Sequence, residues 1–443
     1  MADLFKSFLV TFSSMSVPNV APITTNSTAP NDKVTRIVIV GGGTGGLSTA
    51  SMLQRKFESA GDITIVEPSD KHYYQPLWTL VGGGIFPKEK SVRNEADFIP
   101  KGAKWEKDAV ATFNPDNNNV VTKTGKKLEY DYLVVATGIT LYLDRIRGLK
   151  ETLGKNGVTT NYSFDTVDKT FEFIKSTKSG AAIFTFPNTP IKCGGAPQKI
   201  LWLADDYFRK NHCRNEVDIM FNTAGVSMFA VKKYSDALDV LAKERNVQQN
   251  FKYNLIEVDG PNKTAIFETP EGNKSMKFEM LHVVPPMGPL PEVKNSPLAD
   301  PATGYVTVNK ETLQHTKYEN VFSLGDCSNL PTSKTAAAIT KQAPCLVANL
   351  IHHKNGQPLA AKYDGYTSCP ITTGYNSLML AEFKYDSVVS ETFPWDQSKP
   401  GYYGMFLKKY VFPTAYWNGV LAGRWFGPNT IFNTYTIPDV KKN

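Results

Sequence analysis

The sequence predicts an α/β fold: two Rossmann-like dinucleotide-binding domains, the second inserted in the first, plus a C-terminal amphipathic helical region that contacts a membrane. Three observations predict it. A buried-strand pattern, Arg36-Ile37-Val38-Ile39-Val40, runs straight into Gly41-Gly42-Gly43-Thr44-Gly45-Gly46 and a helical stretch from Leu47 to Phe57. A second strand, Ala181 to Phe186, and a second helical pattern, Ile200 to Arg209, repeat that layout around a turn built from prolines and a cysteine. Far downstream, Tyr402 to Phe426 is the most aromatic stretch of the chain, interrupted by Lys408, Lys409 and Arg424.

At 443 residues the chain has room for two or three domains, each with a full core. The net charge of +7 is spread along the whole length, and the absence of any Lys/Arg block argues against nucleic acid as a partner. The five cysteines, at positions 193, 213, 327, 345 and 369, are too few and too scattered for a secreted disulfide framework. No two of them have a C-x-x-C spacing, so no metal site is expected. The first residues, Met1 to Pro30, read as a tail. They are rich in Ser and Thr, carry only Asp3 and Lys6 as charges, and hold an apolar patch, Phe8-Leu9-Val10, too short for a signal or a span. The tail is acid-poor but has no Arg, which leaves organelle targeting open.

In the first glycine turn, Gly41 permits the tight bend, Gly43 lets the backbone approach a pyrophosphate, and Gly46 packs helix on strand, with Gly45 beside it. The phosphates would sit on the helix N-terminus. The next strand, Ile63 to Val66, ends in Glu67, about twenty residues past Gly46, where an acid binds a ribose. The segment Lys71-His72-Tyr73-Tyr74-Gln75-Pro76-Leu77-Trp78 has no strand or helix period and reads as a loop, with His72 a satisfied surface or loop histidine. Tyr130 to Gly138 is a strand closed by Ala136-Thr137-Gly138, and Asn320 to Asp326 is another, ending in Gly325-Asp326.

Between those strands lie a strand at 217–221, a helix from Lys232 to Arg245, and turn clusters at Asp259-Gly260-Pro261-Asn262 and Pro270-Glu271-Gly272-Asn273. After strand 181–186 the expected glycine fingerprint is missing. Pro187 and Pro190 have no N–H for a phosphate, and their rings obstruct close approach. NAD(P)H is therefore not expected here. The turn instead carries Cys193, placed just before a helix that starts near Pro197, with Lys192 adjacent. A helix N-terminus and a cation both lower a thiol pKa.

The strand signatures at Thr137-Gly138 and Gly325-Asp326, flanking an inserted region, resemble the two-dinucleotide-binding-domain flavoproteins, the pyridine nucleotide-disulfide oxidoreductase superfamily. The resemblance narrows on Ile191 to Lys199, Leu281 to Pro286, Leu330 to Ala338 and Lys362 to Tyr375. Together these look like the sulfide:quinone oxidoreductase family, of eukaryotic, mitochondrial type. Bacterial members with a third, earlier cysteine differ, since no cysteine precedes Cys193.

The resemblance implies FAD as cofactor, contacted by Gly41, Gly43, Gly45, Gly46, Glu67, Gln75, Val110, Thr137, Gly138, Asp326 and Lys334. It implies a redox pair, Cys193 and Cys369, joined as a disulfide or a sulfur-bridged trisulfide that sulfide attacks, with a persulfide then on Cys369 and a Cys193 thiolate that reduces the flavin. Hydrogen sulfide would be the donor and ubiquinone or a similar quinone the acceptor. The sulfane sulfur would leave to glutathione, sulfite or a second sulfide. Lys334 and the helix after it would lie against the ring. Cys213, placed in a charged loop, and Cys327 and Cys345 are read as non-catalytic.

Expected boundaries are a tail at 1–33, a first flavin-domain part at 34–150, the second Rossmann-like domain at 151–295, the second flavin-domain part at 296–370, and a membrane and quinone region at 371–443. Pro413 is expected to split the aromatic stretch into two short helices in the lipid interface, with Trp and Tyr at headgroup depth and the lysines toward phosphate. The location implied is the mitochondrial inner membrane, held peripherally, with a homo-oligomer left open. Two other readings compete. A type II NADH:quinone oxidoreductase would need the missing glycine fingerprint, and a non-enzymatic FAD scaffold would leave the cysteine pair without a role. A soluble disulfide reductase would place its cysteines close together in sequence.

Overall fold

The computed structural model describes residues 34–58, 61–429 and 437–441. The expected tail, 1–33, lies outside the described residues. Strand β1 (Thr35–Val40) enters helix α1 (Thr44–Phe57) through the glycine turn, and β2 (Gly61–Val66) pairs with β1 in parallel. Strands β3 (Lys104–Glu106) and β4 (Tyr132–Val135) join the same sheet. The chain then leaves this sheet to build a second one.

That second sheet uses β5 (Val158–Thr159), β6 (Gly180–Phe186), β7 (Val217–Thr223), β8 (Gln248–Phe251) and β9 (Met280–His282). Their order is β5-β9-β6-β7-β8, all parallel. Helices α2 (Ala196–Lys210) and α3 (Lys232–Glu244) make the crossovers. An antiparallel meander, 254–277, turns at the two predicted clusters. Strand β10 (Val321–Ser323) then returns to the first sheet beside β4, giving the order β10-β4-β1-β2-β3. This detour is the sequence-level signature of one domain inserted in another. Both sheets are parallel with both faces covered, and their central strands β1, β4 and β6 read as largely apolar runs. Ile37, Ile39, Leu133 and Val134 are fully buried in the first, and Ile183 and Phe184 in the second.

Helix α4 (Ala336–Lys354) follows, capped by the Thr335 hydroxyl, which accepts from the Ala338 N–H at 3.1 Å. The antiparallel pair β11 (Thr367–Gly374) and β12 (Ser377–Phe383) packs against α2. Two expected boundaries fall inside elements: 370/371 cuts β11, and 150/151 cuts a helical turn, Leu149–Thr152.

The C-terminal region differs from expectation. Instead of two helices broken at Pro413, the helical run is continuous from 402 to 420. It alternates α-turns (Tyr402–Phe406 and Phe412–Ala415) with π-turns (Leu407–Val411 and Tyr416–Val420). Pro413 falls at the junction of a π-turn and the next α-turn, inside this continuous run, and does not end it. Among the described residues, no helix is long and apolar enough to cross a membrane.

Candidate active site

The first glycine turn is shaped by what it excludes and what it leaves open. Gly41 has φ +106°, and a side chain there would strike the Ala136 carbonyl. At Gly43 an added Cβ would meet nothing. No side chain caps α1, so its first-turn N–H groups face that space unpaired by protein side chains. Gly45 packs against Leu324 instead, and Gly46 abuts the Gly41 carbonyl. Glu67 is half-buried; its carboxylate accepts the Gly42 N–H at 2.7 Å and the Ser69 N–H at 2.8 Å. Burial raises its pKa, and the charge of Glu95 adds to the rise against those two bonds.

Toward the other end of the cleft, the Thr137 hydroxyl is buried without a partner, and Gly138 (φ +67°) opens onto free space. Asp326 and Lys334 line one cavity with Thr332, Ser333, Thr335 and Gln342. The Asp326 carboxylate accepts no hydrogen bond among the described residues. Burial pushes its pKa up, and the ammonium groups of Lys334 and Lys192 oppose this. Lys334 Nζ donates to the carbonyls of Asp326 (2.7 Å) and Ser328 (3.0 Å) and lies 4.3 Å from the Tyr305 ring centre. Val110 is buried at the start of a strand, Val110–Asn114, and Gln75 is exposed in the turn Gln75–Leu77.

Sulfur chemistry is gathered beyond that cavity. Cys193 sits in the turn before α2 with φ +54°, a left-handed conformation that costs a non-glycine residue about 1–2 kcal/mol. The turn is held by the Cys193 N–H, which donates to the Lys334 carbonyl at 2.8 Å, and by the Gly194 N–H, 3.5 Å from the Ser333 hydroxyl. Cys369, fully buried on β11, brings its Sγ to 3.0 Å from that of Cys193. Both are free thiols. A side chain on Gly195 would land in the Cys369 sulfur, so glycine is what allows the approach.

Lys199 completes the arrangement, with Nζ 3.2 Å from Cys193 Sγ. The pair shares a proton unevenly. The Cys369 S–H bond and then the Lys199 charge pull the Cys193 pKa well below the thiol range, although burial opposes them. Cys369 is raised well above it, by its donation to Cys193 and by burial. Burial alone would lower Lys199, but the two sulfurs outweigh it and hold the ammonium charged. Of the two sulfurs, the surroundings favour a negative charge on Cys193 over one on Cys369.

Three expectations need correction. The cation on Cys193 is Lys199, one helical turn inside α2, whereas the Lys192 ammonium bonds Gln75 Oε1 at 3.2 Å. Lys408 does not face outward: it is 5% exposed, and its charge acts on both sulfurs. His72 is no surface residue but is buried in a strand, Lys71–Tyr73, between Glu95 and Tyr416. The sequence signals were there for two of these, because Lys199 closes the cysteine motif that begins at Ile191 and Lys408 adjoins the aromatic run. Glu95 carried no signal at all. Cys327 and Cys345 are fully buried, in keeping with a packing role.

In the second Rossmann-like sheet, the N-terminus of α2 is closed off by protein. Cys369 covers the start of α2, and Gln198 on its first turn donates to the Met228 carbonyl from the loop after β7. Two parallel-sheet dinucleotide folds, the second interrupting the first, give the architecture of the pyridine nucleotide-disulfide oxidoreductases. The model of that family, "Pyridine nucleotide-disulphide oxidoreductase", matches residues 35–171.

The chain is 64% identical over 437 residues to the mitochondrial sulfide:quinone oxidoreductase of Dictyostelium discoideum, covering 97% of each. It is 48% identical over 396 residues to the mouse (Mus musculus) protein of the same name, covering 88% of this chain and 87% of that one. The crystal structure of the sulfide:quinone oxidoreductase from Aquifex aeolicus superposes with a TM-score of 0.73 at 21% identity, over 92% of this chain and 98% of that one. The chain belongs to the sulfide:quinone oxidoreductase family. Its members use FAD, and the open space at Gly43, the unpartnered Thr137 hydroxyl and the unbonded Asp326 carboxylate fit a bound dinucleotide.

Proposed function

We propose that the chain is an FAD-dependent enzyme that oxidises hydrogen sulfide and delivers the electrons to a quinone such as ubiquinone. One observation carries this reading: the Cys193 and Cys369 sulfurs stand 3.0 Å apart at the start of α2, and the Cys193 N–H donates at 2.8 Å to the carbonyl of Lys334, which lines the cavity with Asp326. Gly41, Gly43, Gly45, Gly46, Glu67, Thr137, Gly138 and Asp326 would hold FAD, with Gln75, Val110 and Lys334 near it. Bound FAD supplies the two-electron acceptor that links the dithiol to the quinone.

In the oxidised pair, HS⁻ attacks the Cys369 sulfur. A sulfur–sulfur bond forms to give the Cys369 persulfide, the Cys193–Cys369 bond breaks, and Cys193 leaves as a thiolate. Lys199 and the helix N-terminus stabilise that leaving thiolate. A small anionic nucleophile (sulfide, sulfite or glutathione) then takes the outer sulfur and leaves the Cys369 thiolate. Closing the disulfide again releases two electrons and balances the cycle.

Tyr402, Tyr403 and Tyr410 on the C-terminal run and Trp395 beside it are exposed, and together they form an aromatic face suited to a lipid interface. A peripheral position on the mitochondrial inner membrane would let a lipophilic quinone reach the site from the lipid.

The discriminating experiment is anaerobic addition of sulfide, and separately of NADH, to the purified holoenzyme while the flavin absorbance is followed. Sulfide should bleach it and NADH should not. Bleaching by NADH alone would favour an NADH:quinone oxidoreductase and sink this reading.

A further inference from the structure

Helix α1, which begins at the glycine turn, carries a polar stripe at Thr44, Ser48, Ser51 and Arg55, the spacing of one helical face. Every member of the stripe is bonded to the C-terminal region. The Thr44 hydroxyl meets the Tyr416 hydroxyl at 2.7 Å. Ser48 and Ser51 donate to the carbonyls of Val420 and Leu421, both at 2.8 Å, and Arg55 donates to those of Ala422 (2.7 Å) and Gly423 (2.5 Å). These carbonyls lie at and just past the end of the helical run; that of Val420 also accepts the Gly423 N–H at 2.9 Å. The helix that would carry the dinucleotide phosphates therefore also caps the C-terminal segment.

A second line of contact runs from the same segment into the turn. Tyr416, 3% exposed, also meets His72 Nε2 at 2.7 Å, and His72 Nδ1 meets Glu95 Oε2 at 3.0 Å. The other Glu95 oxygen is buried with no hydrogen-bond partner among the described residues, in the space a Gly42 side chain would enter. Gly42 in turn donates to Glu67. Tyr74, 4.4 Å from Tyr416 between ring centres, and Phe98, stacked on Trp417 at 5.3 Å, close the packing around this chain. Gly42 and Glu95 are packed so closely that a Cβ on Gly42 would strike the Glu95 carboxylate, and Glu95 is tied through His72 to Tyr416. Interiors packed at this density transmit shifts rather than absorb them.

We propose that the C-terminal segment is part of the dinucleotide site: Tyr416, His72 and Glu95 are positioning residues for the glycine turn, so FAD retention and docking of the segment 402–424 reinforce one another. The inference rests on the FAD assignment of that turn but not on the membrane reading. Linkage of this kind is reciprocal. A holoenzyme with its flavin held presents the aromatic face of Tyr402, Tyr403 and Tyr410 on a docked segment, while one losing its flavin loosens that face.

The test is limited chymotrypsin cleavage of the C-terminal segment in the holoenzyme, with and without excess free FAD, alongside the rate of FAD release on dilution. Excess FAD should slow cleavage about tenfold in the parent chain. Tyr416→Phe keeps the ring but removes both hydroxyl contacts, so it should collapse that protection to less than about threefold and speed FAD release. A purely structural role would raise cleavage equally with and without added FAD and leave the ratio intact. Cleavage of the parent that ignores FAD, or a Tyr416→Phe ratio equal to the parent's, overturns the proposal. If Tyr416→Phe does not fold, Ser51→Ala, two helical turns from the glycines, is read by the same ratio. Co-sedimentation of the holoenzyme with phospholipid vesicles tests the membrane reading separately; if it fails, the cleavage ratio still decides the coupling.

Discussion

The turn at 41–46 and the turn at 187–195 occupy the same place in two copies of one architecture: parallel strand, turn, helix N-terminus. They differ in what fills the space ahead of the helix. Before α1 that space is open, since a side chain at Gly43 would meet nothing. Before α2 it is taken by the Cys369 sulfur, brought in on β11 and admitted because residue 195 has no side chain. Both helices offer their partial positive end to an anion. In one case the anion would be a ligand's phosphate, and in the other it is the chain's own thiolate. A nucleotide fold can thus lose its nucleotide by filling the phosphate seat with protein, without losing the seat.

The severest challenge to this contrast is to remove a sulfur. Cys193→Ser and Cys369→Ser should each lower sulfide-driven quinone reduction by about three orders of magnitude or more, because members of a catalytic unit fail together. FAD content, read from the absorbance of the purified protein, should stay at the parent level. Turnover retained in either variant would mean that the two sulfurs do not act as a pair.

One methyl group placed in each turn should produce opposite failures. Gly43 has φ −66°, which any residue tolerates, so Gly43→Ala should fold at the parent melting temperature but lose FAD by about tenfold or more in affinity. Gly195 (φ −93°) also has ordinary backbone, yet its new methyl would collide with Cys369. Gly195→Ala should keep FAD, lose about 1–3 kcal/mol of stability in denaturant titration, and lose about a hundredfold in turnover through the displaced sulfur. If Gly195→Ala lost flavin and Gly43→Ala lost turnover alone, the assignment of the two seats would be reversed.

Lys199→Met probes the second seat more finely. The Cys193 thiolate exists above its depressed pKa and is lost as pH falls through it. Without the ammonium at 3.2 Å, the pKa should climb back toward the ordinary thiol range. The acid limb of the pH–rate profile should move up with it, with turnover near neutral pH down by about tenfold. A profile that keeps its acid limb would remove Lys199 from the site.

Much of this was legible in the sequence, for physical reasons. The glycine turn, the paired parallel sheets and the inserted domain follow from apolar runs, turn residues and their spacing, all of them local signals. The position of Cys193 before a helix was legible in the same way, because Pro197 marks the first turn. What was not legible depends on side-chain direction across long sequence separations. Lys192 adjoins Cys193 in sequence but reaches Gln75, whereas Lys199 turns back from one helical turn away. Lys408 looked like a lipid-facing cation because its neighbours are aromatic. It lies in a π-turn, Leu407–Val411, and a π-turn changes which face each residue occupies. Pro413 read as a break because proline ends helices on average, but it lies at a π-to-α junction through which the run continues.

Lys408 supplies the smallest and most specific test. Burial is the main cause that lowers its pKa, with the nearby Lys199 charge next, and the two sulfurs hold it from falling below about 7. Its charge is therefore present below about pH 7 and fades above it. Lys408→Met should reduce turnover by about threefold to tenfold at pH 6, where the lost charge would have supported the Cys193 thiolate. The two proteins should converge by pH 9, where Lys408 is already neutral. The stability sign runs the other way. The unfolded chain keeps this lysine protonated to an ordinary lysine pKa, so between that value and about 7 the unfolded state binds more protons than the folded one. Stability should then rise with pH across this window in the parent chain, and the slope should flatten in Lys408→Met. Melting temperatures measured at pH 7 and pH 9 decide it, and parallel slopes in the two proteins would put Lys408 at the surface after all.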